Sequence, residues 1–239
     1  ETETNLFDAY PEGLERGMNT INEFWDNGIA RGKTTPEQKE EWSANIHTFS
    51  DMRNAVKDVD LVIEAVPEIM EIKAKIFHVL SIETKEDCIL ATNTSSLSIS
   101  DIAQASDRPD KVIGMHFFNP ANLMPLVEVI PAIQTSEKTI KKSQDLLREM
   151  GKVVVTAKDT PGFIVNRVAR PFYGEAIRIY EEGIANFATI DWALKEFGGF
   201  KMGPFELMDF IGNDINYTVP ETVVKEFYFD PRYKPEFTQ

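Results

Sequence analysis

A change of rhythm near Asp159 divides this sequence. Before it, NLFD (5–8), IHTFSD (46–51), DLVIEAV (60–66), CILAT (88–92), VIGMHF (112–117), LVEVI (126–130) and VVVT (153–156) are short apolar runs that read as strands. Helix-like stretches separate them, from Pro11 to Ile29, over PEQKEEWSANI (36–46), and from about Ser136 to Met150. A further one is PEIMEIKAKIFHVL (67–80), where Pro67 suits a first helical position and Ile69, Ile72, Ile76, Phe77 and Leu80 recur at helical spacing. Strand, helix, strand at this pace predicts a parallel sheet with helices on both faces.

After DTPGF (159–163) no strand periodicity appears. Thr160 and Pro161 form a helix-start signal for a run to Glu182 that stops at Gly183. TIDWALKEF (189–197), with Thr189 as N-cap, and MGPFELMDFIG (202–212) predict two more helices, and Pro220 interrupts the stretch NYTVPETVVKEF. Two domains are expected, an α/β unit over residues 1–158 and an all-helical unit over 159–239.

A mononucleotide-binding sheet opens strand, G-x-G-x-x-G, helix, strand, and then an acid for the ribose hydroxyls roughly 20 residues on. This chain contains no G-x-G, yet Asp8 ends a strand-like run and precedes a long helix, as that acid would. From the residues alone the plainer reading is that Asp8 caps the helix beginning near Pro11. If it is the ribose acid, the fingerprint and the central first strand lie upstream of Glu1, and the chain is expected to be a segment of a longer protein.

Composition narrows the partners. The formal charge of −14 argues against a nucleic-acid surface, which needs a basic stripe. No apolar run approaches the roughly 18 residues of a membrane span. The single cysteine, Cys88, leaves no internal disulfide and no cysteine-rich metal site, and suits a reducing cytoplasm. No metal is expected.

Of three histidines, His47 and His78 have no chemical partner nearby in sequence, whereas His116 ends a strand, where an open parallel sheet forms its ligand crevice. NTSSLS (93–98) follows another strand and brings hydroxyls and an amide to the same edge. Glu128 alternates into the apolar run LVEVI, and a buried carboxylate needs a partner. A histidine that takes up a proton during reaction is the natural one. Glu128 could instead face solvent from an edge strand, NTSS could be only a turn and helix cap, and Asn166 could simply sit on an exposed helix face.

ATNTSSLSIS (91–100), GMHFFNPANLMPLVEVI (114–130), KDTPGFIVNR (158–167) and MGPFELMDFIG (202–212), in that order, closely resemble the L-3-hydroxyacyl-CoA dehydrogenase family of fatty-acid β-oxidation. The resemblance implies a Rossmann-like NAD-binding domain, here without its first strand, followed by a helical domain that forms a homodimer. It implies NAD as cofactor, an acyl-CoA substrate, and oxidation of (S)-3-hydroxyacyl-CoA to 3-oxoacyl-CoA. By that resemblance His116 is the general base, Glu128 orients and charge-balances it, and Ser95 and Asn166 hydrogen-bond the substrate oxygen. Asp8 matches the ribose acid, Glu68, Lys73, Ser95 and Asn119 match cofactor-contact positions, and Arg31 and Lys33 are the candidates for CoA. A non-CoA hydroxy acid as substrate, or a polypeptide that only dimerises, are the alternatives.

Overall fold

The computed structural model describes residues 2–212 together with Val224, Phe227 and Asp230. The strands are β1 (Thr4–Phe7), β2 (Ile46–Phe49), β3 (Leu61–Glu64), β4 (Ile89–Thr92), β5 (Val112–Phe117), β6 (Leu126–Pro131) and β7 (Val153–Thr156). The helices are α1 (Pro11–Ala30), α2 (Pro36–Ala44), α3 (Met52–Val56), α4 (Met70–Glu83), α5 (Ile99–Gln104), α6 (Glu137–Glu149), α7 (Val165–Glu181), α8 (Phe187–Glu196) and α9 (Pro204–Ile211).

The strands form two sheets rather than the single one expected, a parallel pair β1-β2 and a five-stranded sheet ordered β3-β4-β5-β6-β7. Among the described residues β3 has a neighbour on one side only, so Ile63 is 41% exposed and the run DLVIEAV is half-buried, not buried. The five-stranded sheet is also not all parallel, because β5 and β6 run antiparallel. Residues 118–125 join these two strands, too few for the crossover of about a dozen or more that a parallel pair requires. The result is a Rossmann-like α/β layer followed by helices.

Strand alternation sends successive side chains to opposite faces. Ile113 and Met115 of β5 join Val127 and Val129 of β6 against Leu147 of α6. Val112 and Ile130 face the other way, with Leu90, against Phe77 and Leu80 of α4 and Ile99 and Ile102 of α5. Gly114 lies on this second face, where a Cβ would stand 2.9 Å from Ile99 Cδ1 and 3.0 Å from Ile130 Cβ. His116 and Glu128 share the parity of Val112, Gly114 and Ile130, so the same arithmetic puts both on the α4–α5 face.

Several helix starts differ from expectation. α4 begins at Met70, not Pro67, because the Glu68 side chain is turned to the loop after β4. α7 begins at Val165, not Thr160, because Gly162 (φ 71°) and Phe163 (φ 47°) take left-handed conformations that interrupt a helix. α8 is capped by Asn186, whose Oδ1 accepts the Thr189 N–H at 2.9 Å, so Thr189 is a first-turn residue rather than the cap. The short helices α3 and α5 were not expected. Pro220 lies outside the described residues.

The helical part packs Tyr173 and Ile177 of α7 against Met208 of α9. Asp191 of α8 accepts the Phe205 and Glu206 N–H groups, each at 2.9 Å, which satisfies two of the orphan donors at the start of α9. Gly203 is small of necessity, since its Cβ would fall 2.3 Å from the Asp191 carboxyl carbon.

Candidate active site

Antiparallel pairing places His116 directly opposite Glu128, on one face and near the end of β5. Their side chains meet, with Nδ1 of His116 2.7 Å from Oε2 of Glu128. β6 is an interior strand and Glu128 is 0% exposed, so this carboxylate does not face solvent. Its other oxygen, Oε1, accepts the Ile164 and Val165 N–H groups at 2.9 and 3.0 Å. The left-handed turn at Gly162 and Phe163 thus delivers the first amides of α7 to a buried acid, where the helix N-terminus also favours negative charge.

Burial alone would raise the Glu128 carboxyl, but the His116 hydrogen bond and the two amides outweigh it and hold the group below its usual range. An ionised carboxylate accepts hydrogen bonds and donates none. The Nδ1 nitrogen of His116 is therefore the donor to Glu128, and in a neutral imidazole that tautomer leaves the lone pair on Nε2. That nitrogen faces Ser95 Oγ at 3.1 Å. The rings of Phe118 (4.6 Å between centroids) and Phe163 (5.6 Å) border the imidazole.

A depressed carboxyl stabilises the fold above its unfolded pKa of about 4.3, and that contribution is lost as pH falls through the lower folded-state value. Replacing Glu128 with Gln is therefore expected to make the acid limb of stability shallower below about pH 4.3. Denaturation midpoints of both proteins across that range check the sign, and parallel acid limbs would count against an ionised Glu128.

The loop after β4 is both a cap and a site element. Ser98 caps α5, and Asp159 accepts the Ile99 and Ser100 N–H groups at 3.0 and 2.8 Å. Upstream in the same loop, Glu68 Oε1 accepts Ser95 N–H (2.9 Å), Ser96 N–H (3.1 Å), the Ser96 hydroxyl (3.0 Å) and the Thr94 hydroxyl. Burial pushes Glu68 up, yet these donors and the Lys73 charge leave it lowered overall. Lys73 lies beneath with 1% of its side chain exposed, 2.7 Å from Glu64 and 3.4 Å from Glu68. Asn93 completes the edge by accepting the Phe117 N–H at 2.9 Å.

The remaining expected residues are spread around this centre. Asn166 stands in the first turn of α7, next to Val165, and its Oδ1 accepts from Arg170 at 3.0 Å. Asn119 is exposed three residues beyond His116. Asp8 follows β1, where its Oδ1 accepts the Tyr10 N–H at 2.9 Å and its carboxyl lies over Gly13 of α1. Arg31 and Lys33 are exposed at the far end of α1. His78 lies 3.9 Å from Asp107 on the surface, and His47 is exposed on β2, so neither joins the site. Sequence reasoning placed the Asn93 amide at this edge but missed Glu64, Phe163 and Asp159 as builders of the site. Only Glu64 left a signal, as a second acid placed in an apolar strand.

Residues 1–160 match the family model described as 3-hydroxyacyl-CoA dehydrogenase, NAD binding domain, and residues 162–239 match 3-hydroxyacyl-CoA dehydrogenase, C-terminal domain. The chain is 41% identical over 98% of its length to the 3-hydroxyadipyl-CoA dehydrogenase of Escherichia coli (strain K12), and spans 49% of that relative. It is 40% identical over 96% of its length to the 3-hydroxybutyryl-CoA dehydrogenase of Bradyrhizobium diazoefficiens, spanning 78% of it. The crystal structure of (S)-3-hydroxybutyryl-CoA dehydrogenase PaaH1 from Ralstonia eutropha superposes with a TM-score of 0.91 at 36% identity, over 97% of this chain and 81% of that one.

Proposed function

From the premise that the chain belongs to the 3-hydroxyacyl-CoA dehydrogenase family, we propose that it oxidises (S)-3-hydroxyacyl-CoA to 3-oxoacyl-CoA with NAD. One observation carries this reading. An imidazole is held with Nδ1 against a buried carboxylate and Nε2 against a serine hydroxyl at the mouth of the sheet.

In this reading Ser95 Oγ and Asn166 hold the substrate's 3-hydroxyl beside His116 Nε2. Nε2 takes the hydroxyl proton as the C3 hydrogen departs with its electron pair, leaving a carbonyl at C3. The buried charge on Glu128 stabilises the imidazolium as it forms, and the two α7 amides keep that carboxylate from turning away. Bound nicotinamide supplies the hydride acceptor.

The donors present suit the ribose and nicotinamide ends of an adenine dinucleotide, while the glycine turn that would cradle its pyrophosphate is not in this sequence. Asp8 keeps Oδ2 for ribose hydroxyls while Oδ1 is engaged by Tyr10, and a carboxylate there repels the 2′-phosphate of NADP. Ser95 faces His116 at the sheet edge and Asn119 follows three residues beyond that histidine, Glu68 shapes the Ser95 loop, and Lys73 acts through Glu68, because its ammonium is enclosed by two carboxylates and the Val66 carbonyl. Arg31 and Lys33 offer exposed positive charge to the CoA phosphates on a chain of net charge −14. A homodimer through the helical part is supported by the exposure of Phe197 (80%), Phe210 (78%) and Trp192 (53%). No helix among the described residues is long and apolar enough to cross a membrane, and a cytoplasmic setting belongs to the same proposal.

The test is NADH formation from (S)-3-hydroxybutyryl-CoA by the full-length protein, with free 3-hydroxybutyrate and NADP as comparisons. Turnover is expected with the thioester and NAD only. Equal turnover of the free acid would move the substrate outside the CoA thioesters, and equal use of NADP would remove Asp8 from the ribose.

A further inference from the structure

We propose that Glu64 is a positioning residue for Ser95 and His116, acting from beneath the loop after β4; the proposal rests on the dehydrogenase reading above. Glu64 ends β3, opposite Thr92 at the end of β4, and only 2% of its side chain is exposed. Both of its oxygens are engaged. Oε1 accepts from Lys73 Nζ and from the Val66 N–H, each at 2.7 Å, and Oε2 accepts the Thr92 hydroxyl at 2.7 Å.

Two arms run from Glu64 to the reacting groups. One passes through Lys73 to Glu68, 3.4 Å further, and from Glu68 to the amides of Ser95 and Ser96, which fixes Ser95 Oγ at 3.1 Å from His116 Nε2. The other is backbone, since the Glu64 carbonyl accepts the Asn93 N–H at 2.8 Å and Asn93 Oδ1 accepts the Phe117 N–H. Both members of the Ser95–His116 contact are thereby referred to one residue.

The charge on Glu64 is what the first arm needs. Lys73 is enclosed by protein, and a buried ammonium requires a carboxylate. With Glu64 ionised, Lys73 is satisfied from below and Glu68 can spend its Oε1 on the Ser95 loop. With Glu64 made neutral, Glu68 becomes the sole carboxylate within reach of Lys73 and is drawn toward it, away from the loop amides. Glu64 itself is enclosed by Lys73, Val66 and Thr92 and touches neither substrate nor cofactor in this reading, so it acts through Ser95.

Glu64→Gln keeps the size and the Thr92 contact but removes the charge. It is expected to lower kcat by about 10- to 100-fold. In a Ser95→Ala background the same substitution is expected to cost little more, because the two residues act as one unit. Hydrogen exchange at residues 93–97, read by mass spectrometry, is expected to accelerate in Glu64→Gln. Equal fold-losses in both backgrounds, or unchanged exchange in the loop, would overturn the proposal. Should Glu64→Gln not fold, Glu64→Asp, which keeps the charge but withdraws it from Lys73, is put through the same cycle and read in the same way. The exchange measurement needs no turnover, so it separates a failure of this inference from a failure of the dehydrogenase reading.

Discussion

His116→Gln is expected to lower kcat by about 10²–10⁴-fold, the usual contribution of a positioned general base. Glutamine is close in size and its amide can still donate to Glu128 Oε2, so the sheet mouth and the amides held by Oε1 stay in place. What it lacks is a nitrogen lone pair able to take the hydroxyl proton. NAD affinity should therefore remain near that of the unaltered chain, and the loss should appear in kcat. Steady-state kinetics and calorimetric NAD titration on the same preparation check both halves. A variant with undiminished kcat would remove His116 from proton transfer.

Lys73→Met is expected to be the most damaging single change to stability, at about 3–5 kcal/mol, the cost of breaking a buried pair by removing one partner. Methionine fills the aliphatic space of the lysine stem, so a cavity contributes little. The loss arises because Glu64, 2% exposed, keeps only the Val66 amide and the Thr92 hydroxyl for a charge that Lys73 neutralised. Urea denaturation of both proteins gives the difference. An unchanged midpoint would mean that the Lys73–Glu64 contact contributes little to the fold, and would weaken the account given above.

Much of this was legible because two periodicities carry it. A period of two placed His116 and Glu128 in apolar strands, and the helical spacing of Ile72, Ile76, Phe77 and Leu80 marked α4. Pairing direction was less visible, since it depends on what residues 118–125 can span rather than on the strands themselves. The start of α7 was misplaced because Thr160 and Pro161 are good local signals, and a tertiary demand, delivery of the Ile164 and Val165 amides to Glu128, outweighs them. Pro67 failed for a similar reason, since Glu68 is committed to the Ser95 loop. Glu64 carries no motif of its own, and the bond from Asn93 to the β5 backbone is not visible in NTSS. Their parts emerge only when β3, β4 and β5 lie side by side and three strand ends share one edge.

The account stands on hydride leaving C3 while His116 takes the hydroxyl proton. Its most direct test supplies the chain with NAD and (S)-3-hydroxybutyryl-CoA carrying deuterium at C3, and follows the label into the dinucleotide by mass spectrometry. Deuterium-labelled NADH, formed by the unaltered chain and scarcely at all by His116→Gln, is the predicted result. Unlabelled NADH, or labelled NADH formed at equal rates by both proteins, would contradict it.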